Sequence, residues 1–306
     1  MFSFYNAFFA VMLLMVPQLG LAENTNFDIK RVDSTTIFYT GKIVSGQSFL
    51  ALKDALTDST TTLIVRSQGG SLLEGVRIGS LIVDRKLSVE VDGYCLSSCA
   101  NNLFLAGHTK RLRAGAVLGF HGSMNLSQKQ IETFSAMSET ELQASLEKTE
   151  PNFDDLALHE WHLLRKLQLE PSIHVSLMEK LEAALPPNQV DWIVAIGRKK
   201  YAVRDGLDVE DRIVKLLRRK LTSLSQLRSM DIKIKRDNPY GDAMFFPMQS
   251  TLERFGVKEI LEYSYPSDEL ELKTRAKVLV EKYDFSPLRV AGEFPRLAPK
   301  QEGVKK

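Results

Sequence analysis

The sequence predicts an α/β protein built on a parallel β-sheet with crossover helices, followed by a helical and irregular C-terminal region. Two observations carry that expectation. Between residues 36 and 121, short apolar runs of strand length alternate with segments whose apolar residues recur every three or four positions. Strand–helix–strand alternation is the signature of right-handed parallel crossovers. In addition, the Gly69-Gly70 pair, the turn at residues 95–99 and His121 each follow one of those apolar runs. In parallel α/β sheets, functional groups gather at the carboxyl ends of the strands.

The elements follow in order. Thr36-Ile37-Phe38-Tyr39 and Lys42-Ile43-Val44 read as short strands around Gly41. Phe49, Leu52, Ala55 and Leu56 have helical spacing. Leu63-Ile64-Val65 is a continuous apolar run, as expected of a strand buried on both faces, and it leads to Ser67-Gln68-Gly69-Gly70. Leu72, Val76, Ile78, Gly79 and Ile82 mark a second helix, and residues 87–91 a third strand. Residues 95–105 read as a short helix ended by Gly107, and residues 116–120 as a buried strand that runs into His121. Residues 127–185 read as helical, punctuated by Pro151, Pro171 and Pro186-Pro187. A strand is expected at 190–196, an amphipathic basic helix at 209–224, a turn at 237–241 and a helix at 270–282. The polar segment 293–306, with two prolines, reads as a disordered tail.

The chain has 306 residues, 44% hydrophobic and 25% charged, with a formal net charge of +2. That composition is ordinary for a globular protein, and the charge gives no reason to expect nucleic acid as a partner. Residues 1–22 carry no charged side chain, and Gly20-Leu21-Ala22 puts small residues at both positions that a signal peptidase reads. A secretory signal peptide over 1–22 is the expectation, with the mature chain starting at Glu23 and no stable membrane span after cleavage. An uncleaved anchor is the alternative, although the apolar stretch falls short of the roughly 20 residues a span needs. The expected location is therefore periplasmic or secreted. There an even cysteine count favours a Cys95–Cys99 disulfide over two free thiols or a metal-binding pair. No metal and no cofactor are expected.

Ser97 and Ser98 sit at a turn entering a helix, where a hydroxyl is exposed and backbone N–H groups can face a developing negative charge. Serine is equally a favoured N-cap there. Gly69-Gly70 permits close backbone approach or makes a tight turn. His121 at a strand end can serve as a base or as a structural group.

Leu63-Ile64-Val65-Arg66-Ser67-Gln68-Gly69-Gly70-Ser71 with Gly75, then Cys95-Leu96-Ser97-Ser98-Cys99-Ala100, Leu103-Phe104-Leu105-Ala106-Gly107, Arg111 and Leu118-Gly119-Phe120-His121, resemble the Clp protease and crotonase superfamily. The cysteine-bracketed turn is most similar to bacterial periplasmic Clp-protease-like proteins. The resemblance runs from about residue 37 to 211 and is specific over 63–121. It implies a Clp-protease/crotonase-like domain over 23–224, with residues 225–292 as an appendage, and it admits a homo-oligomer, since that fold is known for oligomers.

It further implies a serine hydrolase acting on a peptide or protein substrate through an acyl-enzyme. Alignment on Phe104-Leu105-Ala106-Gly107 puts the nucleophile on Ser98 and the base on His121, with the N–H groups of Gly70 and Cys99 as oxyanion donors. Asp191 is the nearest candidate for the acidic third member. Asp154, Asp155 or a dyad without an acid are the alternatives. Asn101 and Asn102 depart from the family's small or apolar helix positions. A catalytically inactive binding or assembly module on the same fold is the competing reading, and acyl-thioester chemistry a third.

Overall fold

In a computed structural model of the full chain, the described residues are 27–124, 126–148, 152–185, 191–196, 199–204, 209–220, 232–236, 243–283 and 289–294. The expected signal peptide, most of the expected tail and the turn at 237–241 lie outside them.

The fold is α/β with a mostly parallel mixed sheet. Strands β1 (Phe27–Arg31), β2 (Thr36–Ile43), β3 (Thr62–Gly70), β4 (Ser88–Leu96), β5 (Lys110–Leu112) and β6 (Val117–Gly119) belong to one seven-stranded sheet. The seventh strand, β11 (Ile260–Tyr263), comes from far along the chain. The order is β1-β2-β3-β4-β5-β11, with β6 on the same side of β4 as a continuation of the β5 position. Every pairing except β1 with β2 is parallel.

Leu63 and Val65 of β3 and Val89 and Val91 of β4 are fully buried. That is why β3 reads as an unbroken apolar run, since a parallel strand covered on both faces has no solvent side. The two short strands expected around Gly41 are one strand, because glycine at φ 97° lets the chain pass through without leaving the sheet.

Helices cover the sheet. They are α1 (Ser48–Ala55), α2 (Leu72–Arg85), a π-helical turn (Cys99–Phe104), α3 (Gln128–Ser135), α4 (Glu139–Leu146), α5 (Phe153–Lys166) and α6 (Ile173–Ala184). Ser71 caps α2 by accepting from the Glu74 N–H. Ser127, Ser138 and Asn152 open α3, α4 and α5 with reciprocal capping boxes, which fixes where each helix starts. Ile78 and Ile82 of α2 and Ala157, Trp161 and Leu164 of α5 face the common core.

Strands β7 (Asp191–Ile196), β8 (Lys199–Arg204) and β9 (Ile232–Arg236) form a separate antiparallel sheet. Helix α7 (Val209–Lys220) contributes Ile213 to its own small cluster with Val194, Ile196 and Val203.

The described part of the region beyond residue 225 also enters the main core. β10 (Ala243–Phe246) pairs in parallel with β12 (Arg289–Gly292), and α8 (Gln249–Arg254) and α9 (Glu269–Tyr283) flank them. Phe245 and Phe246 are buried in the same cluster as β3 and β4, as their sequence suggests. Arg275 of α9 donates to Ala116 O at 3.0 Å and Ser264 O at 2.7 Å, tying the region to the loop before β6. The sequence offers no motif there, so it reads as an appendage. In the structure its apolar residues complete the layer over the strand that leads to His121.

Candidate functional site

The site forms where β3, β4 and β6 end together. Register is the cause. Leu96, the last residue of β4, lies beside Gly119, the last residue of β6, and the Ser97 N–H donates to Gly119 O at 2.9 Å. His121 is two residues past Gly119 and Ser97 one past Leu96, so the two side chains emerge at the same height. His121 Nε2 and Ser97 Oγ are 2.5 Å apart.

Ser97 holds a left-handed conformation, φ 57°, uncommon for a residue with a Cβ. It turns the chain from β4 into the π-helix between one residue and the next. Ser97 and Ser98 therefore point differently, and the Ser98 hydroxyl, buried, accepts from the Gly70 N–H at 2.8 Å. The sequence places Ser98 against His121. The structure brings Ser97 to His121 and Ser98 to Gly70.

The glycine loop is fitted against this turn. A Cβ on Gly69 would come within 2.5 Å of Leu96 O and 2.9 Å of Ser98 N, and one on Gly70 within 2.2 Å of Ile43 O. Both glycines have positive φ, 82° and 147°. Of the expected oxyanion donors, Gly70 is thus directed at the serine turn. Cys99 opens the π-helix, where the first N–H groups have no intrahelical acceptor.

Cys95 and Cys99 are disulfide-bonded, with Cα atoms 5.2 Å apart. Cys95 lies in β4 rather than in a helix, so the bond joins the strand end to the helix start across Ser97 and Ser98. A loop this short contributes at most about 2 kcal/mol by restricting the unfolded chain. Its local effect is on the turn, which it closes covalently.

Burial pushes His121 below the usual histidine value, leaving the imidazole neutral near pH 7 and able to accept a proton. Among the described residues no ion pair reaches its ring. Asp191 opens β7, in the separate antiparallel sheet, and its side chain lies outside what is described. Asp155 is engaged elsewhere: it pairs with Lys148 at 2.6 Å and accepts from the Asn152 N–H in the capping box of α5. Asp154 is exposed on the same first turn.

Two side chains hold the segment around the base: Asn101, which the sequence marked only as a departure from the family pattern, and Glu160, which sequence reasoning passed over. The Asn101 amide donates to the His121 backbone carbonyl at 3.2 Å. Glu160 accepts from the Ser123 hydroxyl and from the Met124 N–H, the latter at 3.0 Å. A readable signal for Glu160 exists. It follows Ala157 by three residues and precedes Leu164 by four, so it stands on the apolar face of its helix, where a carboxylate needs a reason.

Among the described residues, no group of three or more His, Cys, Asp or Glu side chains is arranged to hold a metal ion. No helix among them is long and apolar enough to cross a membrane.

Fold and site together define an α/β protein with a serine–histidine pair and a glycine loop at the carboxyl ends of adjacent parallel strands. Neither protein-family models nor curated proteins give a match to the chain.

Proposed function

We propose that the protein is a serine hydrolase of the Clp-protease and crotonase type, acting on peptide or protein substrates outside the cytoplasm. The observation that carries this reading is the contact of His121 Nε2 with Ser97 Oγ beside the Gly69-Gly70 loop. In the tautomer with the proton on Nδ1, Nε2 accepts the Ser97 hydroxyl proton as Ser97 Oγ forms a bond to the substrate carbonyl carbon. The carbonyl oxygen takes the negative charge. The helix-start N–H groups and the Ser98 hydroxyl, already polarised by the Gly70 N–H, are the donors nearest to receive it. Collapse breaks the bond to the leaving group, which takes the proton back from His121. Water then repeats the sequence on the acyl-enzyme, with His121 again as base.

The family pattern assigns the nucleophile to Ser98, whereas the contact with the base favours Ser97. Labelling by a fluorophosphonate probe separates them. Ser97→Ala and His121→Ala are expected to fall to background, and Ser98→Ala to retain labelling at a reduced rate. Loss in Ser98→Ala with retention in Ser97→Ala would move the acyl-enzyme to Ser98. A wild-type chain that never labels would leave the binding-module reading, which the absence of an ion pair on His121 among the described residues favours.

The extracytoplasmic location rests on the N-terminal apolar segment and on the Cys95–Cys99 bond, since disulfides persist in oxidising compartments. The intact mass of protein recovered from the periplasm is expected to match a chain starting at Glu23 and lacking the two hydrogens that a disulfide removes. A mass that includes residues 1–22, or two free thiols, would count against it.

A further inference from the structure

We propose that Glu160 is the positioning residue of this site, and that with Asn101 it fixes His121 through the backbone segment around it rather than through the imidazole ring. The inference rests on the hydrolase reading for its catalytic meaning, but its geometry stands separately.

Residues 121–124 have no regular secondary structure. A base at the start of such a segment would wander unless the segment were tied down, and a displacement of an ångström is enough to cost about a hundredfold in rate. Here each part is tied. Phe120 donates to Phe245 O at 2.8 Å and accepts the Phe245 N–H at 2.7 Å. The His121 carbonyl takes the Asn101 amide at 3.2 Å. Ser123 and Met124 both donate to the Glu160 carboxylate.

Glu160 is 1% exposed and Asn101 3%. Burying a carboxylate is costly unless its oxygens are satisfied, and the two donors on Glu160 come from the segment that follows the base. The neighbouring charge-bearing group is His174, whose Nε2 is 3.6 Å from Glu160 Oε1 and which burial pushes below the usual histidine value. With His174 neutral, the Ser123 and Met124 donors are the principal polar partners of the carboxylate. The departure from the family pattern at Asn101 acquires a role in the same way, because an apolar residue there could not hold the His121 carbonyl.

This arrangement performs the orienting task usually given to an acid on the far side of the imidazole. It differs in one testable respect: the acid acts on backbone and a hydroxyl two and three residues along the chain, so it sets where the ring is, not its tautomer.

The test uses the full chain with Glu160→Gln and Ser123→Ala. Glutamine keeps an acceptor for one donor but cannot satisfy both, and Ser123→Ala removes one tie without touching the buried charge. Fluorophosphonate labelling across pH is expected to slow by about tenfold or more in Glu160→Gln and by less in Ser123→Ala. The His121 ring resonances, followed by NMR through their titration, are expected to shift in both. If Glu160→Gln does not fold, Ser123→Ala alone decides by the same two readouts. Wild-type labelling rates and unmoved His121 resonances in the folded variants would overturn the proposal. A wild-type chain that does not label would overturn the hydrolase reading instead, and the His121 resonances would still decide whether Glu160 positions the ring.

Discussion

Gly69→Ala is expected to lower stability by about 3 kcal/mol, whereas Gly46→Ala costs only about 1 kcal/mol. Both glycines have left-handed φ, 82° and 72°, so an alanine at either carries the same class of backbone strain. The difference is what a Cβ would meet. At Gly46 there is nothing within 4 Å, so strain is the whole cost. At Gly69 the Cβ would lie 2.5 Å from Leu96 O, 2.8 Å from Ser97 Cβ and 2.9 Å from Ser98 N. Two of these are backbone atoms and cannot swing away, and the turn that carries them is closed by the Cys95–Cys99 bond. The overpacking therefore adds to the strain, typically by about 1–3 kcal/mol. The glycine loop and the serine turn must separate, which moves Gly70 from Ser98 and Ser97 from His121. Denaturant midpoints at unchanged slope measure the first effect. Probe labelling of the folded fraction measures the second, and it should collapse in Gly69→Ala while persisting in Gly46→Ala. Equal losses at both positions would show that close approach at Gly69 is not what that glycine supplies.

The parallel sheet was legible because its central strands are buried on both faces, which leaves an apolar run at residues 63–65 that periodicity reads directly. The helices from residue 128 to 184 were legible from Leu and Ile at three-to-four spacing between prolines, whereas the caps at Ser127, Ser138 and Asn152 that set their individual starts went unread. The convergence of Gly69-Gly70, the serine turn and His121 followed from topology alone. What the sequence did not disclose were steps of a single residue. Whether Ser97 or Ser98 meets the base depends on β4 continuing to Leu96 and on Ser97 adopting a positive φ, and neither has a compositional signature in a Cys-Leu-Ser-Ser-Cys stretch. β5, three residues long, is too short to show a period. The C-terminal strands were hidden for a different reason. Phe245 and Phe246 read as core, but which core they join is set by contacts with Phe120 more than a hundred residues away, and single-chain patterns carry no such pairing. Glu160 was readable only as an anomaly, a carboxylate on an apolar helix face whose partners lie in another segment.

Acidification from pH 7 toward pH 4 is expected to remove about 3 kcal/mol of stability through His159 alone. This side chain is 6% exposed on α5, and its pKa is pushed down to about 4, first by burial and then by Arg77. Asp155 opposes the shift and His162 adds a little to it. The sign follows from proton counting. With the folded value near 4 and the unfolded value near 6.5, the unfolded chain binds the extra proton throughout that window. Stability is therefore complete above about pH 6.5 and declines as pH falls to about 4. Burial also holds His121, His162 and His174 below the ordinary value, so each adds to the same loss. The carboxylates act lower: Asp155 beside Lys148 and Glu293 beside Lys180 are held below the usual range, so their contribution is lost only as pH falls below the ordinary carboxylate values, at the acid end of this window and beyond it. Urea midpoints between pH 7.5 and 4.5 measure the loss, and His159→Gln should flatten much of the slope. An unchanged slope would mean that His159 gains access to water in the folded chain. On the hydrolase reading, probe labelling falls at some point below the ordinary histidine value for a separate reason, because protonated His121 cannot take the serine proton. His159→Gln distinguishes the two, since it should preserve folding at lower pH while leaving the labelling midpoint set by His121 where it was.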